Sequence, residues 1–214
     1  MAAVEPGSAL SGAVRKLVVA SSNPGKLREI DAILASQGVE AVPQSAFTAV
    51  ESAEPHGTFI ENALAKARHA NRVSGLPALA DDSGICVAAL NGAPGVHSAR
   101  YAGEPRSDAR NRQKLLHEMA AHSQRDAHYY CVMVLLRHAD DPQPLMAEGV
   151  WRGEITREAR GTGGFGYDAL FWLPYLARSA AELSPAHKNR ISHRGVALAA
   201  LCGMLREEIH ARVQ

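Results

Sequence analysis

Ser21-Ser22-Asn23-Pro24-Gly25-Lys26 joins the apolar run KLVVA, residues 16–20, to a segment whose apolar residues recur at helical spacing. The apolar run predicts a β-strand, and residues 39–42 predict a second strand after a glycine at position 38. The apolar positions of the intervening helix are Leu27, Ile30, Ile33 and Leu34. The chain is therefore predicted to begin with a β-α-β unit, which is typical of an α/β fold.

The same junction predicts an anion site. The first backbone N–H groups of a helix are unpaired and lie at the positive end of the helix dipole. Lys26 adds a full positive charge, and residues 21–23 add side-chain donors. The segment has neither the spacing of a Walker A loop nor that of a dinucleotide-binding loop. For this segment taken alone, an ordinary strand-to-helix turn is an equal alternative.

Composition restricts the class of protein. The 214 residues are 46% hydrophobic, enough for the core of one domain, and the formal net charge is only +1. A nearly neutral chain argues against a dedicated nucleic-acid-binding protein and favours a small anionic ligand. We expect a disordered tail over residues 1–14, rich in Ala, Gly and Ser, and a single domain over residues 15–214.

Cysteine usage and hydropathy predict a cytoplasmic protein. The three cysteines, Cys86, Cys131 and Cys202, lie far apart in apolar runs and are expected to be buried reduced thiols. The first 14 residues lack the charged and apolar regions of a signal peptide, and we expect no membrane span.

The rest of the chain predicts mixed α/β structure without internal repeats. Thr58 and Glu61 form a capping box for a helix that ends near Gly75 and buries Ile60 among its apolar positions. The further predicted elements are strands at 78–80 and 85–90, a helix from 107 or 108 to about 122, a hairpin of strands 128–137 and 145–151 around the turn 140–142, a strand at 170–172, a short helix at 184–189, and a final helix that Ser192 caps and whose apolar face includes Val196.

Asp81-Asp82-Ser83-Gly84 is predicted to place two carboxylates at the carboxyl end of a buried strand, where open α/β sheets bind ligands. Neighbouring side chains of an extended chain point to opposite faces, unless the chain turns at Ser83-Gly84. We therefore expect Asp82 alone to be the reactive carboxylate. The alternative is a solvated Asp-Ser-Gly turn.

Further acidic residues predict a magnesium site together with the Asp81-Asp82 pair. Magnesium uses one or two carboxylates, waters and substrate phosphates. Glu54, on an irregular Glu-Pro-His-Gly loop, is the better candidate ligand than Glu51, and Glu61 is expected to serve only the capping box. Each of these acids taken alone would more commonly be solvated at the surface.

The segment Gly161-Thr162-Gly163-Gly164-Phe165-Gly166-Tyr167-Asp168 contains too much glycine for a stable helix or strand. Phe165 and Tyr167 suit a platform on which a nucleobase stacks, and Asp168 offers an acceptor to a ring N–H or a sugar. The alternative is a glycine hairpin whose aromatic side chains pack into the core.

Lys188 and Ser192-His193-Arg194 form a second cationic cluster at a helix start. Lys188 and Arg194 only donate hydrogen bonds, so they suit phosphate oxygens or a carbonyl and repel an amino group. A solvated helix cap is the alternative. The other histidines show no metal-ligand spacing, so zinc is not expected.

Together these segments resemble the Ham1 family, also known as inosine triphosphate pyrophosphatases. The resemblance covers nearly the whole chain, from about Lys16 to Arg206, with the motifs in family order. The motifs are Ser21-x-Asn23-x-Gly25-Lys26, Thr58-Phe59-Ile60-Glu61-Asn62-Ala63 with Lys66-Ala67, Asp81-Asp82-Ser83-Gly84, residues 92–101, residues 161–168 and Ser192-His193-Arg194-Gly195.

The resemblance implies an elongated mixed sheet with flanking helices and two lobes around a deep nucleotide cleft. It also implies a homodimer that uses Mg²⁺ to hydrolyse ITP, dITP and XTP to the monophosphate and pyrophosphate. By position it assigns the triphosphate to Ser21, Ser22, Asn23, Pro24, Gly25 and Lys26, catalysis and metal contact to Asp82, substrate contact to Ser83, a second metal ligand to Glu54, the base and sugar to Phe165, Gly166, Tyr167 and Asp168, and the rest of the pocket to Lys188, His193 and Arg194.

One departure affects Glu54, because its loop is one residue shorter than the common bacterial pattern. Arg194 is expected to donate to O6 of hypoxanthine or xanthine, which rejects ATP but leaves the rejection of GTP unexplained. The alternatives are a Maf-like pyrophosphatase for pyrimidine or modified nucleotides and a non-catalytic nucleotide sensor. The glycine-rich loop and Ser192-His193-Arg194 argue against the first, and the retained acidic pair argues against the second.

Overall fold

A computed structural model describes residues 14–50 and 52–211. The strands are β1 Lys16–Val19, β2 Glu40–Pro43, β3 Ala78–Val87, β4 Asp126–Leu136, β5 Leu145–Ile155, β6 Phe171–Leu173 and β7 Arg178–Ser179. The helices are α1 Pro24–Ala35, α2 Phe59–Ser74, α3 Asp108–Glu118, α4 Pro185–Ile191 and α5 His193–Ala211. The predicted tail lies outside the described residues except for Val14, which is only 7% exposed and packs in the core.

The predicted β-α-β beginning is confirmed, since β1 pairs in parallel with both β2 and β3. Asn23 caps α1 by accepting hydrogen bonds from the backbone N–H groups of Gly25 and Lys26, and Pro24 occupies the first turn. These residues stop the strand and start the helix within a few positions. The helix ends at Ala35, and Gly38 takes the left-handed conformation just after it, with φ 73°.

The seven strands form one mixed sheet in the order β2-β1-β3-β4-β5-β6-β7. From β3 onward the neighbours are antiparallel, and the predicted hairpin of β4 and β5 is confirmed. The predicted break in the third strand is wrong. β3 runs without interruption from Ala78 to Val87 and pairs with β4 at every residue, so Asp81 and Asp82 lie inside a strand.

Helices cover the two faces of the sheet. On one face α1 and α5 pack against β1, β3 and β4, in a cluster that includes Ile30, Leu79 and Leu201. On the other face the alanines of α2 pack against Val132 and Val134 of β4. A further cluster, which joins α3 to the far ends of β3 to β6, forms a second lobe.

Two predicted apolar contacts are wrong, because Ile60 of α2 is 39% exposed and Val196 of α5 is 42% exposed. The neighbouring Phe59 packs against Tyr130 in place of Ile60. None of the helices in the described ranges is long and apolar enough to cross a membrane.

Candidate active site

The cleft opens where β1 stops. β1 ends at Val19, opposite Leu79, so the edge of β3 beyond that point faces the loop of residues 21–26 instead of a strand. This loop and Ser83 separate two adjoining spaces. The acidic chamber contains Glu54, Lys66 and Asp82, and the aromatic chamber is lined by Tyr129, Phe165, Asp168, Lys188, His193 and Arg194. Asn23, Lys26, Ser83 and Ala99 line both chambers.

The loop at the head of α1 contributes to both chambers. Ser21, Ser22, Asn23 and Lys26 line the acidic chamber, whereas Pro24 begins α1. Gly25 is buried under the ring of Phe165, and a Cβ atom at this position would lie 2.5 Å from Phe165 Cδ1. Glycine is therefore required for the close approach of the two segments. Lys26 Nζ pairs with Asp81 Oδ2 at 2.8 Å.

Asp81 and Asp82 serve opposite faces of β3, as expected for neighbours on an extended chain. Asp81 is buried among cations and pairs with Lys26 and, at 3.3 Å, with Arg194. Burial opposes its ionisation, but these positive charges hold its pKa well below the usual range. Its Oδ1 atom is buried with no hydrogen-bond partner among the described residues.

Asp82 points into the acidic chamber toward α2. Lys66 Nζ donates to Asp82 Oδ1 at 2.7 Å, and Asn62 Nδ2 donates to Oδ2 at 3.3 Å. Burial raises the pKa of Asp82 and outweighs the opposing charges of Lys66 and Lys26. A carboxylate with a raised pKa is a better proton acceptor than an ordinary surface aspartate, which suits a general base.

Glu54 reaches the same ammonium group. Lys66 bonds both Glu54 and Asp82, and Arg100 holds the other oxygen of Glu54 at 2.9 Å. Burial favours the neutral acid, but the charge of Lys66 prevails and lowers the pKa of Glu54. Glu61 instead accepts a hydrogen bond from Thr58 in the capping box, and Glu51 lies outside the described residues.

The acidic chamber fits a divalent cation that is shared with a phosphate group. Within residues 14–50 and 52–211, no three His, Cys, Asp or Glu side chains converge closely enough to bind a metal by themselves. Glu54 and Asp82 nevertheless bracket one cation already, the ammonium of Lys66, and Asp81 keeps an unpartnered oxygen close by. Two carboxylates completed by waters and phosphate oxygens are an ordinary magnesium environment.

The glycine-rich loop forms one wall of the aromatic chamber. The centroid of the Phe165 ring lies 4.5 Å from Lys188 Nζ. The backbone N–H of Phe165 donates to Asp168 Oδ2 at 2.9 Å. Lys188 Nζ also donates to Asp168 Oδ2, at 2.6 Å. Tyr167 is 4% exposed, belongs to the core of the second lobe and donates to the carbonyl of Ser98. Phe165 is thus the aromatic side chain of this loop that is placed to stack on a ligand.

His193 and Arg194 come from the start of α5. His193 stacks on Tyr129 with ring centroids 4.5 Å apart, and its Nδ1 atom has no partner among the described residues. Burial and the charges of Arg194 and Lys188 hold the pKa of His193 well below its usual range, so the ring is neutral. A neutral histidine with a free ring nitrogen can bond a ligand that enters the chamber.

Arg194 is 2% exposed and lines the aromatic chamber. Its guanidinium contacts Asp81, Ser83 Oγ at 2.9 Å, and Glu29 of α1. Glu29 also pairs with Lys188 at 2.9 Å. Burial opposes both charges, yet the charges of Asp81 and Glu29 raise the pKa of Arg194, and the charges of Arg194 and Lys188 lower the pKa of Glu29, so both stay ionised. Glu29 therefore fixes both cations of the aromatic chamber.

Sequence reasoning assigned no role to Glu29, Asn62, Lys66, Arg100 or Tyr129, all of which contact predicted site residues. A signal existed for three of them. Glu29 lies one helical turn after Lys26, and Asn62 and Lys66 are polar residues spaced i, i+4 on the alanine-rich face of α2. Buried polar residues on an apolar helix face require partners, which here belong to the site.

The described geometry combines an anion-binding loop, a buried carboxylate with a raised pKa and a separate aromatic recognition space. Known proteins are similar to this chain over most of its length. A family model described as the Ham1 family matches residues 17–204. A dITP/XTP pyrophosphatase of Nitrosomonas europaea is 62% identical over 194 residues, which cover 91% of this chain and 96% of the relative.

A second relative and a solved structure extend this similarity. A dITP/XTP pyrophosphatase of Ralstonia nicotianae is 60% identical over 196 residues, covering 90% of this chain and 98% of the relative. The structure of a HAM1 protein from Coxiella burnetii has a TM-score of 0.83 and 49% identity, and the match covers 90% of this chain and 98% of that one.

Proposed function

The chain belongs to the Ham1 family, and from this premise we propose that it is a nucleoside triphosphate pyrophosphatase for deaminated purine nucleotides. Its substrates are ITP, dITP and XTP, and its products are the nucleoside monophosphate and pyrophosphate. In this role it removes these nucleotides from the cytoplasmic pool before polymerases use them. The observation that carries the proposal is the pairing of a reactive carboxylate, Asp82, with a distinct aromatic recognition space around Phe165.

We assign the triphosphate to the acidic chamber and the base to the aromatic chamber. Lys26 lies between the two. The first N–H groups of α1 are already bonded to Asn23, so the loop of residues 21–26 attracts anionic oxygens through the charge of Lys26 and the positive end of the helix dipole. The ring of Phe165 offers a stacking surface that is nearly indifferent to base identity. Selectivity then depends on the polar groups that surround this ring.

The reaction breaks the bond between the α-phosphorus and the oxygen that bridges to the β-phosphate. A water molecule attacks the α-phosphorus, Asp82 accepts its proton, and pyrophosphate leaves with the bonding electrons. Lys26, at the positive end of the α1 dipole, stabilises the negative charge that develops on the leaving group. Lys66 holds Asp82 in place through its bond of 2.7 Å.

Glu54 and Asp82 would hold magnesium together with waters and phosphate oxygens. When bound, the ion would neutralise phosphate charge and lower the barrier to attack by water.

Purine selectivity follows from donors that face the ligand. Lys188 and Arg194 donate only, and a 6-oxo group accepts, so hypoxanthine and xanthine are matched. The 6-amino group of adenine would leave both sides unpaired, a mismatch of about 1–3 kcal/mol for each unsatisfied group.

We also propose that the protein forms a homodimer through the exposed face of β5. On this face Met146 and Val150 are 43% and 42% exposed, and the exposed Glu148 and Arg152 lie symmetrically on either side of Val150. A two-fold axis that crosses β5 at Val150, perpendicular to the strand, would place each Glu148 opposite the Arg152 of the second copy. This face is therefore complementary to itself in charge.

A substrate panel tests the activity. Purified protein with magnesium is expected to release pyrophosphate from ITP and XTP far faster than from ATP, GTP or dTTP. Orthophosphate as the first product would refute the proposed reaction, and a preference for dTTP would instead favour the Maf-like alternative.

Sedimentation tests the dimer. Arg152→Glu should convert a dimer to a monomer by placing like charges in contact, and the exchange Glu148→Arg with Arg152→Glu should restore the dimer. Dimerisation that is insensitive to the single change would place the interface elsewhere.

A further inference from the structure

The buried amide of Asn62 joins two parts of the acidic chamber that are distant in sequence. Asn62 is 1% exposed on the alanine-rich face of α2. Its Oδ1 atom accepts from the N–H of His56 at 3.1 Å, and its Nδ2 atom donates to the carbonyl of His56 at 3.2 Å. The same Nδ2 atom also donates to Asp82 Oδ2 at 3.3 Å. Both donors and the acceptor of this side chain are therefore used within the site.

The loop that carries Glu54 depends on such contacts, because it has no regular structure of its own. Residues 52–57 form neither helix nor strand, and most of them are exposed. Among the described residues, no backbone-to-backbone hydrogen bond involves this segment. Two hydrogen bonds attach its backbone to α2, and both join His56 to Asn62. Loss of Asn62 would therefore free the loop from this helix at its backbone.

The ion pairs of Glu54 use the same oxygens that a metal would require. One carboxylate oxygen pairs with Lys66 and the other with Arg100. The bonds of Asn62 instead use only the backbone of His56 and leave the carboxylate oxygens available. Attachment of the loop by Asn62 is therefore compatible with metal binding by Glu54, whereas attachment through the carboxylate competes with it.

We infer that Asn62 is a positioning residue that fixes the loop of Glu54 relative to Asp82, so that the two carboxylates can share one divalent cation. The inference rests on the proposed function, which assigns magnesium to these carboxylates but gives Asn62 no task. Two bonds of the amide hold the loop at His56, and the third holds Asp82 Oδ2. Asp82 Oδ1 is left facing Lys66, the ammonium group that lies between the two carboxylates.

The test compares the wild type with Asn62→Leu, which keeps the branched shape of the side chain and forms none of the three bonds. Asn62→Ala is a second variant, because alanine has the highest helix propensity and suits the alanine-rich face. The matched control is Asn71→Leu. Asn71 lies on the same helix, is 7% exposed and donates to the carbonyl of Leu76 at 2.7 Å, and neither residue lines a chamber. Thermal unfolding is measured for every variant.

Three quantities are measured on the full-length protein. The first is the affinity for Mn²⁺ with IMP present, followed by electron paramagnetic resonance, since Mn²⁺ prefers the same oxygen ligands as Mg²⁺. The second is the exchange rate of the His56 amide hydrogen, followed by NMR. The third is the affinity for IMP without metal, measured by calorimetry.

For both Asn62 variants we expect Mn²⁺ affinity to fall about 10- to 100-fold, the usual effect of removing a group that orients a metal ligand. Exchange of the His56 amide should accelerate, because the hydrogen loses its acceptor. The affinity for IMP should stay within about two-fold of the wild type, since Asn62 does not line the aromatic chamber. Asn71→Leu should keep wild-type values of all three quantities.

Unchanged Mn²⁺ affinity in the Asn62 variants, or a wild type that binds no Mn²⁺, would overturn the inference. Unchanged exchange of the His56 amide would do the same. An equal loss of Mn²⁺ affinity in Asn71→Leu would also overturn it, because the stability of α2 as a whole would then be responsible. Failure of the proposed function is distinguishable, since it would appear as the absence of pyrophosphate release from ITP by the wild type. None of the three measurements depends on turnover.

Discussion

The acidic and aromatic chambers lie beside the same strand but differ in how firmly the protonation states of their side chains are fixed. Around the aromatic chamber Glu29 has a lowered pKa, Arg194 has a raised pKa and His193 is neutral, so these three groups keep one charge state near neutral pH. In the acidic chamber Asp82 has a raised pKa and can exchange a proton more readily. A recognition site benefits from fixed donors and acceptors, whereas a reaction site requires a group that changes protonation.

The largest expected effect comes from Asp82→Asn, which removes the base and leaves the shape. We expect kcat to fall about 10²- to 10⁴-fold, the usual contribution of a general base. Nucleotide affinity measured by calorimetry should stay near that of the wild type, since the aromatic chamber is intact. Activity near normal would show that Asp82 is not the general base. It would also contradict the assignment of chemistry to the acidic chamber and of base recognition to the aromatic chamber.

Arg194→Ala tests a cation of the aromatic chamber that bonds Ser83 at the boundary with the acidic chamber. Loss of the guanidinium should narrow the difference between ITP and ATP by about 10-fold, because the adenine amino group would then face fewer donors. Removing one member of a buried ion pair also destabilises proteins by about 3–5 kcal/mol, so thermal unfolding is measured in parallel. Arg194→Lys retains a cation and serves as the control. An unchanged ratio in a folded variant would place selectivity elsewhere.

Phe165→Ala should affect the aromatic chamber alone. Loss of base stacking is worth about 1–3 kcal/mol, so the KM for ITP should rise about 5- to 100-fold. Inhibition by pyrophosphate, which lacks a base, should remain within about two-fold of the wild type if the inhibitor is held only by the acidic chamber. Equal losses for both ligands would mean that Phe165 supports the whole cleft, as its contact with Gly25 would allow.

The smallest effect concerns pH. As pH falls through the raised pKa of Asp82, its carboxylate becomes protonated and kcat/KM should decline. Glu29 has a lowered pKa and remains ionised over the same range, so binding of IMP measured by calorimetry should persist to lower pH than turnover. Parallel decline of binding and turnover would contradict the contrast in charge between the chambers.

Sequence patterns predicted the elements better than their contacts. Thr58 and Ser107 cap helices at the predicted starts, since capping depends on nearby residues. The continuity of β3 was missed, because Asp-Asp-Ser-Gly has low strand propensity and pairing with β4 overrides that preference.

In the candidate site, too, the sequence predicted which residues take part better than it predicted their contacts. The predicted residues Lys188, His193 and Arg194 line one chamber with Phe165. Glu29, which pairs with Lys188 and Arg194, lies more than a hundred residues away in sequence. Such a contact depends on how α1 and α5 pack together, and no local pattern encodes it. Tyr167 packs in the core of the second lobe and also lines the aromatic chamber, two surroundings that its aromatic character alone does not distinguish.

The long pairing of β3 with β4 has a further consequence. Ten consecutive residue pairs, from Ala78 with Leu136 to Val87 with Ala127, fix the alignment of the two strands. A slip by one residue would turn every side chain of β3 to the other face. The two carboxylates would then exchange faces. Asp82 would turn toward Lys26 and Arg194, which hold an acid ionised, and it would lose its bond to Lys66. The strand register therefore decides which aspartate acts as the catalytic base. A single-residue deletion within β3 is expected to abolish turnover even if the sheet still forms.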